Sequence, residues 1–401
     1  MANNFSASFI EVWAKEQQEI FYKENVSMMI ADTSFKAQLS KGDTLNRPYR
    51  SSNGVQVYTR GSAITIDDKT DTNEQLTVNR QFATGFYVDD FDKIQNNYDA
   101  AANYGKDDGI YLSNQVDADV LGEFSNAFST VDDGSLGGTS GNGIALTTSN
   151  VLATIAAAKK KLMKLNIPSN NLWGVISPEF EEVLVQYGAG RDTNNGDQAQ
   201  DNGFFKDFYG FKLYRSNQLS GTAVLGLATN PTASDTVTIN GVVFTFVAAI
   251  GVTPGNVLIG ATADDSRANL AGLINDPGVT SATQVALSTA NQRLFQENAS
   301  AVNDNALDTL SVTFKGVGAL SVSESLTAAG DVWTTTKQQQ HCVFGQNGAT
   351  TLVMQKDPMP QVKEVPDKLG KNILNGCLYG VKTFSDGAKR MVNVAIDASS
   401  F

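Results

Sequence analysis

The chain of 401 residues carries 42 acidic against 30 basic side chains, a formal net charge of −12, with no Lys/Arg-rich run. That length exceeds one ordinary core and is enough for two or three domains, and the acidic balance argues against a protein built to grip nucleic-acid phosphates. No stretch approaches ~18 uninterrupted apolar residues, so no membrane span is expected, and the opening MANNFSASFIEVWAKEQQ lacks the basic and apolar regions of a secretion signal.

Residues 6–24 place Phe9, Ile10, Trp13, Ile20 and Phe21 at helical spacing, which predicts a short amphipathic helix. From Lys41 to Asp90 the pattern becomes alternating. GDTLNRPYR, AITIDD, EQLTVNRQF and TGFYVDD read as strands broken by Gly, Asn and Asp. They are too polar for a private core and read as a long hairpin or arm that must lie against something else, which implies a partner chain. Over 94–128, Ile110, Val116, Val120, Leu121, Phe124 and Phe128 mark one face of a long helix starting near Gly109, after a looser helical piece with Tyr98 and Tyr104. With Val131 read as the helix end, DDGSLGGTSGNG (132–143) is a flexible glycine-rich loop. A phosphate cradle would need a strand before it and a helix directly after, with Gly-Lys-Ser/Thr between, and these are absent.

The stretch 148–168 predicts a helix with a Ser/Asn cap and a proline stop, its Lys159–Lys161 trio solvated at the negative C-terminal end. Leu172–Ile176 reads as a buried strand, followed by Ser177 as N-cap and Pro178 at the first helical position. A mobile polar loop, 189–203, leads to YGFKLYRSNQL, a strand alternating Phe211 and Leu213 with Lys212 and Tyr214. Its partner is sought in QQQHCVFGQNGATTLVMQ, 338–355.

Between these two lies a different dialect. Residues 221–336 hold 12 Asp, Glu, Lys and Arg among 116 positions, half the density found elsewhere. DTVTINGVVFTFVA predicts a hairpin with Asn240-Gly241 at its turn. TADDSRANLAGLIN predicts a capped helix with Ala263, Leu270, Leu273 and Ile274 inward. A short helix near 287–297 and strands TLSVTFKGV and ALSVSES complete an independent α+β unit. If 221–336 is an insertion, Leu219 and Gln338 should lie side by side.

Candidate chemistry is sparse. Adjacent residues on a strand point to opposite faces, so His341 and Cys342 do not make a nucleophile pair, and His341 reads as satisfied or half-exposed. Cys342 and Cys377 form neither a disulfide framework nor a zinc pattern and read as free thiols of a reducing compartment. The clusters Asp67-Asp68-x-x-Asp71, Asp89-Asp90-x-Asp92 and Asp264-Asp265 lack the glycine and terminal glutamate of a calcium loop. No catalytic, cofactor-binding or metal-binding residue is assigned, and the chain is not read as an enzyme.

LWGVISPEFEEVL (172–184), YGFKLYRSNQL (209–219) and NGCLYGVKTFSDGAKRMVNVAID (375–397), in this order behind an arm, a hairpin and a long helix, carry a family likeness. The chain resembles the major capsid (coat) proteins of tailed double-stranded-DNA bacteriophages, of the Hong Kong 97 type fold also found in the floor of herpesvirus capsids. The resemblance covers about 1–220 and 337–401. It implies an α+β fold divided as N-terminal arm 1–40, extended hairpin loop 41–92, spine helix and first part of the capsid core 93–220, inserted α+β domain 221–336, and the rest of the core 337–401. It further implies self-association into the pentamers and hexamers of an icosahedral shell around phage DNA, contacted only non-specifically and without a membrane. Portal, scaffolding and decoration proteins are further partners it admits. The site is the virion, with synthesis in the host bacterial cytoplasm. The alternatives are another phage structural protein such as a tail-tube subunit, or a secreted adhesin or surface-layer protein.

Overall fold

The computed structural model describes residues 25–39, 41–50, 55–64, 66, 68–91, 100–189, 207–366 and 368–398. The helix expected at 6–24, Tyr98, Asp67, Asp92 and nearly all of the 189–203 loop lie outside the described residues.

A single helical turn, α1 (Ser27–Ile30), precedes strands β1 (Thr44–Arg50) and β2 (Asp71–Thr77), which pair antiparallel with Leu45 opposite Leu76 and Arg47 opposite Glu74. The expected strand AITIDD is absent: its described residues lie outside any strand, with Ile66 89% exposed. Strand β3 (Arg80–Asp89) then leaves the hairpin and joins the body.

The long helix, α2, runs Ala100–Gly122, earlier at both ends than its apolar spacing predicted, and gives way to a 3-10 turn at Glu123–Asn126. Phe124 is buried within that turn, whereas Phe128, expected on the same face, is 60% exposed. The reason is geometric: once the chain leaves the α-helix, the 100° step that aligned positions 124 and 128 no longer applies. Val131 ends strand β4 (Ser129–Val131) instead of a helix. The loop after it is not loose. Asp132 accepts hydrogen bonds from Ser135 N and Oγ, Ser140 Oγ and Gly141 N, and Asp133 accepts from Thr139 N.

Helix α3 (Val151–Lys164), strand β5 (Leu172–Ile176) and helix α4 (Pro178–Ala189) fall where the sequence reading put them, and Ser177 Oγ accepts from Phe180 N as a helix cap; Asn150, at the N-cap of α3, makes no side-chain cap bond and accepts instead from Thr147 N. After β6 (Asp207–Phe208), β7 (Phe211–Arg215) pairs in parallel with β5. The partner expected near 341–344 sits instead on the far side of β5. Strand, helix and strand make a crossover unit, and such a unit lays its second strand beside its first.

Strand β8 (Ser220–Gly226) opens the charge-poor segment. Strands β9 (Thr236–Ile239) and β10 (Val242–Val247) form the expected hairpin, with Asn240 and Gly241 at φ 52° and 79° as a two-residue primed turn requires. Strand β11 (Asn256–Leu258) is followed by helix α5 (Ala263–Asn275), whose Thr262 and Asp265 make a reciprocal cap. Ala263 is half-buried, while Leu270, Leu273 and Ile274 are in the core. Helix α6 (Thr289–Phe295) and strands β12 (Ala299–Asp304), β13 (Thr309–Phe314) and β14 (Val322–Ser325) complete the segment.

The chain returns through β15 (Gln339–Gln346), β16 (Thr351–Lys356), β17 (Gln361–Glu364), β18 (Gly370–Lys382), helix α7 (Ser385–Lys389) and β19 (Met391–Asp397). A nine-stranded sheet runs β12-β13-β8-β15-β5-β7-β6, with β19 on β15 and β4 on β19. One edge of β15 is divided between two strands: Gln339–His341 pair with β8, and Val343–Gln346 with β5. Ser220–Thr222 therefore lie directly against His341–Gln339, so the two ends of the 221–336 segment emerge together. The boundary expected at residue 221 falls inside β8, whose far side pairs with β13. A second sheet joins β16, β18 and β17, with β3 also on β18, and a third runs β11-β10-β9-β14.

Among the described residues, three apolar cores result. The largest is built by α2, α3, α4 and the strands β5, β7, β15 and β19. A second lies within the charge-poor segment around Phe244, Phe295 and Phe314. A small third core holds Leu39, Leu76, Val78, Val353 and Phe384 beneath the hairpin. Among the described residues, no helix is long and apolar enough to cross a membrane.

Phe124 stacks on His341 with ring centroids 4.1 Å apart. Phe124→Ala should cost about 3–5 kcal/mol, whereas Phe128→Ala should change stability by less than about 0.5 kcal/mol. Denaturant unfolding of the two variants side by side checks the contrast; equal losses would show the wrong ring assigned to the core.

Candidate assembly surfaces

The hairpin is firmly rooted and apolar at its far end. At the root, Leu76 and Val78 enter the small core. Arg47 donates two hydrogen bonds to Asp386 on α7, at 2.9 and 2.7 Å, and its guanidinium lies 4.9 Å from the centre of the Phe384 ring. Partial burial would raise the Asp386 pKa, but the bond and charge of Arg47 outweigh it and hold the carboxyl below its ordinary range. Glu74 accepts from Ser385 N at 3.2 Å, clasping the other strand to the same helix. Beyond β1 and β2, Val55, Val57, Tyr58, Ile64 and Ile66 are all exposed, Val57 at 97%. Large exposed apolar side chains gathered on one segment are the kind of surface on which proteins make contacts.

Carboxylates on α2 organise the body behind the hairpin. Asp117 is fully buried and accepts from Val26 N at 2.8 Å and Ser27 N at 2.6 Å, fastening α1 to the long helix. Burial raises its pKa more than these bonds lower it. Asp119 accepts from Lys315 Nζ at 2.9 Å and Tyr379 Oη at 2.7 Å, with Arg80 Nε at 4.0 Å. Burial, and next the Asp119 charge, push the Tyr379 hydroxyl pKa up. Glu123, just past the helix end, accepts from Thr383 N at 3.1 Å. Arg80 also pairs with Glu297, and Gln115 donates to Asn298 at 2.7 Å. Apolar periodicity missed these positions because it discounts charge. The signal that was available is VDADVLG (116–122), two aspartates within the most buried run of the helix.

Several of the residues weighed for chemistry make structural contacts. His341 is buried, with Nε2 2.9 Å from Thr222 Oγ1 and Nδ1 donating to Asn393 Oδ1 at 3.1 Å. Burial lowers its pKa to about 4, against the opposing bond to Asn393. Burial also pushes the Cys342 thiol up to about 12, far from the thiolate a nucleophile needs. The Asp265 carboxylate accepts from Thr262 N in the α5 cap, Asp264 accepts from Asn303 Nδ2 at 2.6 Å, and Asp89 accepts from Phe91 N. The lysine trio is only partly solvated, contrary to expectation. Lys159 Nζ donates to the Tyr209 carbonyl at 2.9 Å and lies 5.1 Å over its ring. Lys161 donates to the Thr130 carbonyl and Ser135 Oγ, and burial lowers its pKa.

Comparison with known proteins matches this architecture. A family model described as "Phage capsid protein" matches residues 53–269, from the hairpin into α5. Among solved structures, Mycobacterium phage Che8 is similar at a TM-score of 0.57 with 16% identity, covering 98% of both chains. The capsid structure of cyanophage P-SCSP1u gives 0.53 with 11% identity, covering 98% of this chain and 94% of that one. The asymmetric unit of the bacteriophage PhiM1 mature capsid gives 0.51 with 10% identity, covering 97% and 92%. At these identities the likeness is one of fold. Among curated proteins, none matches.

Two titration outcomes follow from the buried groups. The folded-state pKa of His341 lies below its unfolded value, so its stabilising contribution is present above pH 6.5 and is lost as pH falls toward about 4. Comparing His341→Gln with the parent chain by denaturant unfolding at pH 7 and pH 4.5 should show a shallower acid loss in the variant, with a difference on the order of 3 kcal/mol at most. Asp117 has the opposite sign, being raised, so its contribution is present below the unfolded pKa of 3.8 and lost as pH rises through the folded value. Asp117→Asn keeps the acceptor and removes the buried charge; its melting temperature at pH 8 should equal or exceed that of the parent, with the gap closing in acid.

Proposed function

This chain belongs to the phage capsid protein family and forms the shell of the particle, and from that premise we propose how its parts divide the work. Copies overlap through the hairpin, whose apolar far end lies on a neighbouring subunit, and through the N-terminal arm, 1–40. The hairpin loop of 41–92 does this in its distal part, because β3 at its end is a strand of the subunit's own sheet. The carrying observation is the mismatch along one element: a root locked to α7 by Arg47 and Glu74, and a far end with Val55, Val57, Tyr58, Ile64 and Ile66 uncovered. Burying such a row between copies gains what one chain cannot.

In this reading the assembly is a closed icosahedral shell of pentamers and hexamers, in which one chain meets slightly different surroundings. Residues 93–220 and 337–401 supply the capsid body, and 221–336 is an inserted domain with its own core, carried on the outer face. The role is structural and not catalytic. Packaged DNA is touched only non-specifically, in keeping with a net charge of −12. Portal, scaffolding or decoration proteins complete the particle, and the chain is made in the bacterial cytoplasm before entering the virion.

Replacing residues 55–66 by a short glycine linker tests the reading. The variant should remain soluble and melt within a few degrees of the parent, since the root contacts are intact. It should fail to give closed shells in negative-stain micrographs. Normal shells from this variant would overturn the assignment of the hairpin to subunit contact.

A further inference from the structure

Four separate stretches of the chain meet around α2. Asp119 of the helix, 3% exposed, receives Lys315 from just after β13, Tyr379 from β18 and, at 4.0 Å, Arg80 from the start of β3. Arg80 stands three residues beyond the end of the hairpin, and it is shared: its guanidinium also pairs with Glu297, between α6 and β12. Gln115, one helical turn before Asp119, donates to Asn298 beside Glu297. Two glycines let the backbones close. A Cβ at Gly122 would stand 2.8 Å from Lys315 Cδ, and one at Gly316 would stand 2.9 Å from Ala118 Cβ. Positions 115, 118, 119 and 122 form one face of the helix, and that whole face is turned toward residues 297–316.

We propose that the 221–336 lobe is an internal brace: through Lys315 on Asp119 and Glu297 on Arg80 it holds α2 against the β3–β18 sheet and sets the direction in which the hairpin leaves the body. The reasoning is electrostatic and geometric. A buried carboxylate needs its partners, and removing one leaves a charge that cannot be solvated in place. Arg80 is held by one acid on the host helix and one on the lobe, so the hairpin base cannot swing without breaking a contact to the lobe. A change in the lobe therefore reaches the hairpin base through two side chains. The consequence for shell building rests on the hairpin being the arm between subunits; the brace itself does not.

Hydrogen exchange on unassembled full-length subunits tests it. The double variant Lys315→Met, Glu297→Gln should exchange faster, by about tenfold or more, in segments 112–122 and 76–84, with 236–247 inside the lobe unchanged. Lys337→Met, which removes a different contact of the junction, to the Gly141 carbonyl, should leave both segments at their parent rates. Parent-like exchange at 112–122 and 76–84 in the double variant overturns the brace. Should 236–247 also exchange faster, Glu297→Gln alone decides, since that side chain is 46% exposed: faster exchange at 76–84 supports the brace, and parent rates overturn it. Because no assembly step enters this measurement, shells formed by a hairpin-shortened chain would remove the subunit-contact reading and leave the brace standing.

Discussion

A carboxylate buried on the inner face of a helix is the constraint to which the rest of the molecule answers. Asp119 is nearly out of water, and an ion so placed is tolerated only when hydrogen bonds and opposite charge surround it. Its partners come from β3, β18 and the residue just after β13, which lie far apart in the chain. Satisfying this one group therefore requires the four-stranded sheet, the long helix and the charge-poor lobe to be in place together. Asp117 and Glu123 repeat the device at a smaller scale, fixing α1 and the turn after β18 to the same stretch of chain.

Apolar packing and backbone pairing deliver the same result by another route. Strand β15 gives one edge to both β8 and β5 and the other to β19, so the lobe and the body are two wings of a single sheet. His341 sits close to where that edge changes owner. It touches Thr222 on one wing, Asn393 on β19 and the Phe124 ring from the turn after α2. A histidine held neutral by burial serves here as a shaped, hydrogen-bonding core residue.

The surface obeys a different rule from the core. The described residues close three cores of their own yet leave large apolar residues exposed at the end of a polar hairpin. For an isolated subunit this is a cost in solubility, and the acidic excess offsets it through mutual repulsion. In the assembly proposed above, the same residues would let burial continue from one copy to the next.

Local pattern determined much of this before any contact was known. The cap Ser177-Pro178 with its strand and helix, the Asn240-Gly241 turn, the capped helix at 263–275 and the change of dialect at both ends of 221–336 are properties of short windows, where backbone preference and apolar spacing act alone. The family likeness also rested on such windows taken in order. Tertiary structure decided the rest. It seated β7 beside β5 instead of β15, because crossover pairing depends on three elements at once. It ended α2 at Gly122 and passed the chain into a 3-10 turn, which put Phe128 in solvent. It turned two lysines of a supposedly solvated trio, and the supposedly loose loop after β4, into hydrogen-bonded structure. Most of all it revealed Asp119, since a charge within an apolar run states only that partners exist. Which ones they are is settled by residues some 40 to 260 positions away in the chain, a separation no local pattern can encode.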